Sequence, residues 1–189
     1  MSVTINNSPV HSEAMISYPY GVSDSGYTCG YHTGVDIVPH GSTENLPMLY
    51  SCVSGTVVNI INSTSGALGV QVQILDDNGF YWRYCHMTLN SIQVSLNQRV
   101  NTSTVIGRMG ATGNVTGRHL HLECSTTMAW QCDTFVNPCT KLGIPNEDDL
   151  VILYDGSVPP TPPIPPTPTT NNAIKKWMFS KFKKIIIKY

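Results

Sequence analysis

The stretch GVQVQILDDNGFYWRYCHM, Gly69 to Met87, consists of two runs rich in β-branched and aromatic residues around Asp76-Asp77-Asn78-Gly79. Asn-Gly readily supplies the positive φ angles of a tight turn, so this stretch predicts a β-hairpin. Working outward, CVSGTVVNIIN before it and RVNTSTVIGRMG after it repeat the pattern of short β-branched runs broken by turn residues. An antiparallel sheet follows. No segment before residue 140 has a 3.6-residue apolar period, so the body is expected to be mostly β with loops, with at most a short helical turn near Asn146 to Leu150.

The chain of 189 residues, 41% hydrophobic and 12% charged, suffices for one domain and an appendage. Its net charge of −1 hides a division. Up to Val158 there are five basic residues (Arg83, Arg99, Arg108, Arg118, Lys141) against all 12 acids, a balance of −7, and the other six lysines lie between Lys175 and Lys188. The whole-chain net of −1 by itself offers no basic excess to neutralise phosphates and argues against a nucleic-acid binder. Residues 159–168 read PPTPPIPPTP. Proline blocks both helix and sheet ladders there, so the expected division is a body over 1–158, a proline-rich linker over 159–172 and a tail over 173–189. In the tail, Ile174, Trp177, Met178, Phe182, Ile185, Ile186 and Tyr189 recur at steps of three and four, with lysines on the other side. This is the pattern of a cationic amphipathic helix, too short to be stable alone in water and suited to an anionic membrane or envelope surface.

The first residues lack the basic start and apolar core of a signal peptide, so synthesis in the cytoplasm is expected. The six cysteines contain no C-x-x-C pair. Cytosolic synthesis disfavours disulfides, and reduced structural thiols are expected, with a bridge such as Cys132 to Cys139 open to a protein that acts outside a cell.

The histidines carry the chemistry. In GRHLHLE a period of two puts His119 and His121 on one strand face and Leu120 and Leu122 on the other, while YHTGVDIV contributes His32 and Asp36. Imidazoles with an aspartate are a normal ligand set for zinc, and three protein ligands rather than four leave an open position for water, the mark of a catalytic site. His86, in YWRYCHM, and whichever histidine of the pair does not bind metal are candidates to orient that water, take its proton or stabilise an oxyanion. Glu123 is read as lying off the histidine face, in a structural or supporting place. Tyr31, Tyr81, Trp82 and Tyr84 are weighed equally as groove or core residues, Cys85 and Cys124 are read as packing groups, and His11 and His40 as loop residues without a role.

Four stretches together resemble the lysostaphin-type (LytM-type) zinc endopeptidases that cut peptidoglycan cross-links. They are YHTGVDIVPHG (Tyr31 to Gly41), VSGTVV (Val53 to Val58), WRYCHM (Trp82 to Met87) and IGRMGATGNVTGRHLHLE (Ile106 to Glu123). The last is the most specific, since the family places a G-x-T-G-x-x-T-G turn directly before its H-L-H strand, here Gly110, Thr112, Gly113, Thr116 and Gly117. The resemblance implies that His32, Asp36 and His121 hold Zn2+ and that His86 and His119 are the catalytic imidazoles. The segment between Asp36 and Cys52, with its ENLPMLY stretch, departs from the family pattern.

The resulting expectation is a mostly β, lysostaphin-type metallopeptidase domain, with the linker and amphipathic tail attached. It would hydrolyse bonds in peptidoglycan as a phage lysin, made in the host cytoplasm, acting at the cell wall and working as a monomer. The alternatives are a virion tail lysin that opens a local hole at infection, and a membrane-permeabilising peptide carried by a catalytically minor body.

Overall fold

In the computed structural model the chain divides into two units, Met1–Pro159 and Pro160–Tyr189. The residues described are 1–41 and 46–156. The proline-rich linker and the amphipathic tail expected over 159–189 lie outside them.

The described residues form twelve strands and one short helix. The strands are β1 (Ser2–Ile5), β2 (Ala14–Tyr18), β3 (Gly34–Pro39), β4 (Met48–Tyr50), β5 (Gly55–Ile61), β6 (Val70–Asp76), β7 (Tyr81–Met87), β8 (Arg99–Val100), β9 (Val105–Arg108), β10 (Leu120–Ser125), β11 (Phe135–Val136) and β12 (Val151–Tyr154). Ten of them make one sheet in the order β1-β12-β2-β3-β10-β7-β6-β5-β8, with β11 added to β10, and β4 pairs with β9 in a second, two-stranded sheet. The expected antiparallel, mostly β architecture is present. The β1/β12 pair at one edge is parallel, which makes the large sheet mixed.

The opening hairpin is β6–β7. Its turn differs from a two-residue Asn-Gly turn, because only Gly79 has a positive φ, of 92°. Asp76 organises it instead. The Asp76 carbonyl accepts from Gly79 N–H at 3.1 Å, Oδ1 accepts from Asn78 N–H at 2.9 Å and Phe80 N–H at 2.8 Å, and Oδ2 accepts from the Trp82 indole at 3.0 Å. This is a three-residue loop ending in a left-handed glycine.

The helix α1 (Pro138–Leu142) precedes the place expected for a helical turn. Its signals are terminal ones. Asn137 caps it by accepting from Cys139 N–H at 2.9 Å, Pro138 opens it and Gly143 closes it. Five residues are too few to display a helical period.

The central strands bring the site together. Strand β10 runs antiparallel between β3 and β7, with His121 opposite Asp36 on one side and Cys85 on the other. Leu120, Leu122 and Cys124 are fully buried in the core with Ile37, Trp82 and Tyr84. Of the alternate residues of β10, His121 and Glu123 face the other way, into a cleft of about 740 Å³.

Candidate metal centre and cleft

His32, Asp36 and His121 converge in a buried cluster. His32 Nε2 lies 3.2 Å from Asp36 Oδ1 and 3.0 Å from His121 Nδ1, and His121 Nδ1 lies 2.8 Å from Asp36 Oδ1. The remaining ring nitrogens have their own partners. His32 Nδ1–H donates to the Pro19 carbonyl at 2.9 Å, and His121 Nε2 faces Glu123 Oε1 at 3.2 Å. Three donor atoms are thereby aimed at one point.

The triangle fits a tetrahedral ion. Bonds of about 2.0–2.1 Å require neighbouring ligand atoms roughly 3.4 Å apart, so a shift of a few tenths of an ångström accommodates zinc. The electrostatics agree with this set. Burial would raise Asp36, but hydrogen bonds from His121 and His32 outweigh it and hold the carboxyl well below the usual carboxylate range. Burial would lower His121, and Asp36 and Glu123 overturn that and raise it to about 9. Glu123, despite burial, is lowered to about 2 by His121, Arg83 and Thr33.

His86 and His119 stand beside the triangle, their ring centroids 4.8 Å apart and His86 5.7 Å from His121. His86 Nδ1–H donates to the Thr112 carbonyl at 2.8 Å, leaving a lone pair on Nε2. Burial lowers this imidazole to about 4, with His121 and His119 pushing the same way against the Thr112 hydrogen bond. It is neutral at pH 7. Its backbone is left-handed, φ 58°, a costly conformation for a non-glycine residue and one that clusters at functional sites. His119 donates from Nδ1–H to the Gly117 carbonyl at 3.1 Å and turns Nε2 toward Asp36 Oδ2 at 3.6 Å.

The loop before β10 holds these imidazoles at close quarters. His119 N–H donates to the Gly110 carbonyl at 3.2 Å. A Cβ on Gly110 would stand 2.5 Å from Thr88 N and 2.8 Å from the His86 carbonyl oxygen. Only glycine allows the loop to lie against the His86 backbone.

All five residues singled out in the sequence therefore meet on one wall of the cleft. Other expectations change. Glu123 lies on the His121 face, because residues two apart share a strand face, and is buried there with hydrogen bonds from Thr33 Oγ1 at 2.6 Å and Arg83 Nε at 2.5 Å. Trp82 and Tyr84 are core residues, and Tyr84 Oη both accepts from Cys52 N–H and donates to Cys52 Sγ. The aromatic cleft residues are Tyr27, Trp130 and Phe135. They sit in turn-rich sequence that no periodicity marks. His11 is stacked between Tyr50 and Tyr154 at 3.5 and 3.6 Å, and His40 pairs with Glu13; neither lines the cleft.

The cysteine expectation is corrected. Cys29 and Cys132 form a disulfide, while Cys139, the partner that the sequence leaves open for Cys132, is a free buried thiol, as are Cys52, Cys85 and Cys124. Burial pushes Cys52, Cys124 and Cys139 up to about 12, so they pack as small apolar groups.

The sequence profile of peptidase family M23 matches residues 30–134, more than half of the chain. The chain belongs to peptidase family M23. The matched residues take in every histidine and carboxylate of the M23 site just described. Lysostaphin of Staphylococcus staphylolyticus is 30% identical over 106 residues, which is 56% of this chain and 21% of that protein. The chain thus spans about a fifth of the length of the curated relatives it matches. Among solved structures, the catalytic domain of the antimicrobial peptidase lysostaphin from Staphylococcus simulans superposes with a TM-score of 0.56 at 26% identity, covering 70% of this chain and 92% of that one. A mutant catalytic domain of the prophage-encoded M23 protein EnpA from Enterococcus faecalis gives 0.51 at 25% identity, over 66% of this chain and 88% of that one. The lysostaphin-type M23 fold accounts for the described sheet.

Proposed function

We propose that this M23 chain is a zinc-dependent endopeptidase that hydrolyses peptide bonds in the stem peptides or cross-bridges of bacterial peptidoglycan. The observation that carries the reading is the triangle of His32 Nε2, Asp36 Oδ1 and His121 Nδ1, open to a cleft with two more imidazoles beside it. These three residues are the metal ligands. Zinc bound there supplies a Lewis acid that polarises the scissile carbonyl and acidifies water. His86, neutral with a free Nε2 lone pair, accepts the proton of the attacking water and delivers it to the leaving amine. His119 orients the water and stabilises the developing oxyanion. Glu123 holds the His121 ring by accepting from Nε2–H, which directs Nδ1 at the ion.

The wider reading is a bacteriolytic phage lysin that acts at the cell wall, with its tail on an anionic membrane or envelope surface. Similarity to the prophage-encoded EnpA domain supports the phage setting. The six lysines between Lys175 and Lys188, interleaved with Trp177, Phe182 and isoleucines, support the tail's role. The test uses purified peptidoglycan and live cells. His121→Ala is expected to abolish release of new amino termini from the wall, and deletion of residues 159–189 to leave that release intact while reducing killing of live cells. Undiminished digestion by His121→Ala refutes the zinc reading, and undiminished killing after the deletion refutes the tail reading.

A further inference from the structure

We propose that the Cys29–Cys132 disulfide is a positioning device for substrate, holding the loops over 19–33 and 126–134 together as one wall of the cleft, so that the chain binds its substrate well only while the bond is oxidised. The inference rests on the peptidase reading above. Both cysteines line the cleft, and the bond joins residues 103 apart in sequence. Strands β3 and β10 are antiparallel, with Gly34 opposite Glu123, so the loop that enters β3 and the loop that leaves β10 emerge at the same end of the sheet.

Each loop carries part of the site. The first carries His32 next to its end. The second carries Trp130, in a left-handed conformation with φ 51°, whose indole N–H donates to Gln73 at 3.3 Å. The Arg83 guanidinium lies 4.0 Å over the Trp130 ring and also holds Glu123. Apart from the disulfide, phenol hydroxyls tie the two sides, Tyr31 donating to the Cys132 carbonyl at 2.5 Å and Tyr20 to the Phe135 carbonyl at 3.3 Å. Both compete with water once the covalent link is cut.

His32 is held by groups on its own side of the cleft and leads directly into β3. Its N–H donates to the Val22 carbonyl and its carbonyl accepts from Gly21 N–H, each at 2.9 Å, and its ring is anchored on Pro19. Reduction is therefore expected to part the Cys132 side of the wall from the 19–33 loop, with the Trp130 ring still held by Gln73 and Arg83, while leaving the metal ligands in place. The bond is open to reductant, since Cys132 is exposed, whereas the four free cysteines are buried away from exchange. In the reaction a dithiol donates two electrons and two protons, Cys29 and Cys132 become thiols, and the dithiol becomes a disulfide. A chain kept reduced by cytosolic dithiols would then be poorly active until it reached an oxidising wall.

The experiment uses the full, zinc-loaded chain and cross-linked muropeptides released from purified peptidoglycan by a glycosidase. A water-soluble phosphine serves as reductant because it does not compete for zinc as a dithiol does; it takes oxygen from water to become the phosphine oxide as the two thiols form. The expected result is two new thiols per chain, unchanged bound zinc, a KM raised about tenfold with kcat within about twofold, and recovery of KM on reoxidation. The Cys29→Ser/Cys132→Ser double variant should match the reduced chain and ignore phosphine; if it does not fold, the phosphine-treated native chain decides. Two new thiols with an unchanged KM overturn the proposal, as does loss of zinc and kcat at an unchanged KM. No cleavage by the oxidised chain overturns the peptidase reading itself, and the inference with it.

Discussion

His121 shows most clearly how single residues set the chemistry. Its Nδ1 faces Asp36 and its Nε2 faces Glu123, so the metal-free imidazole is surrounded by negative charge and raised to about 9. At pH 7 it carries a proton that zinc must displace. Titration calorimetry in buffers of different ionisation enthalpy should therefore show about one proton released per zinc bound at pH 7, falling toward zero as pH rises past about 9. The same shift stabilises the metal-free fold. That contribution is fully present below the unfolded imidazole value near 6.5 and is lost as pH rises through about 9. Glu123→Gln keeps the ring's neighbour but removes the charge; zinc affinity is expected to fall about 10–100-fold, read by competition with a chromophoric chelator. The His32, Asp36, His86, His119 and His121 set was legible in the sequence because short motifs carry it. The side of the strand on which Glu123 lies was also legible, by counting two residues on from His121.

Strand β10 separates stability from chemistry by alternation, and its two faces respond differently to substitution. Leu122 is fully buried among core residues, so Leu122→Ala should cost about 2–5 kcal/mol of unfolding free energy, seen as a lowered denaturant midpoint. The loop before the strand acts on geometry instead. Gly110→Ala places a methyl against the His86 and Thr88 backbone, and is expected to reduce kcat/KM at least about tenfold with bound zinc unchanged. Periodicity made β6, β7 and β10 readable. It could not reveal α1, which is a product of its caps, nor the partner of Cys29, because two cysteines in turn-rich loops 103 residues apart meet only through the pairing of β3 with β10. The Trp130 wall was hidden for the same reason.

Over the whole molecule, charge is divided between a body at −7 and a tail carrying six lysines. An anionic surface repels the first and attracts the second, and the attraction is screened over about 10 Å at 0.1 M salt. Binding of the full chain to anionic phospholipid vesicles should accordingly collapse between low and high salt, while hydrolysis of soluble muropeptides changes little; salt-independent vesicle binding would contradict the tail reading. The central claim, however, concerns the body. Its most direct test is to load the full chain with one equivalent of zinc and identify the amino termini it releases from purified peptidoglycan, beside the zinc-stripped chain and His121→Ala. New termini from the zinc-loaded chain alone are the predicted result. Equal release from all three, or none from any, would contradict it.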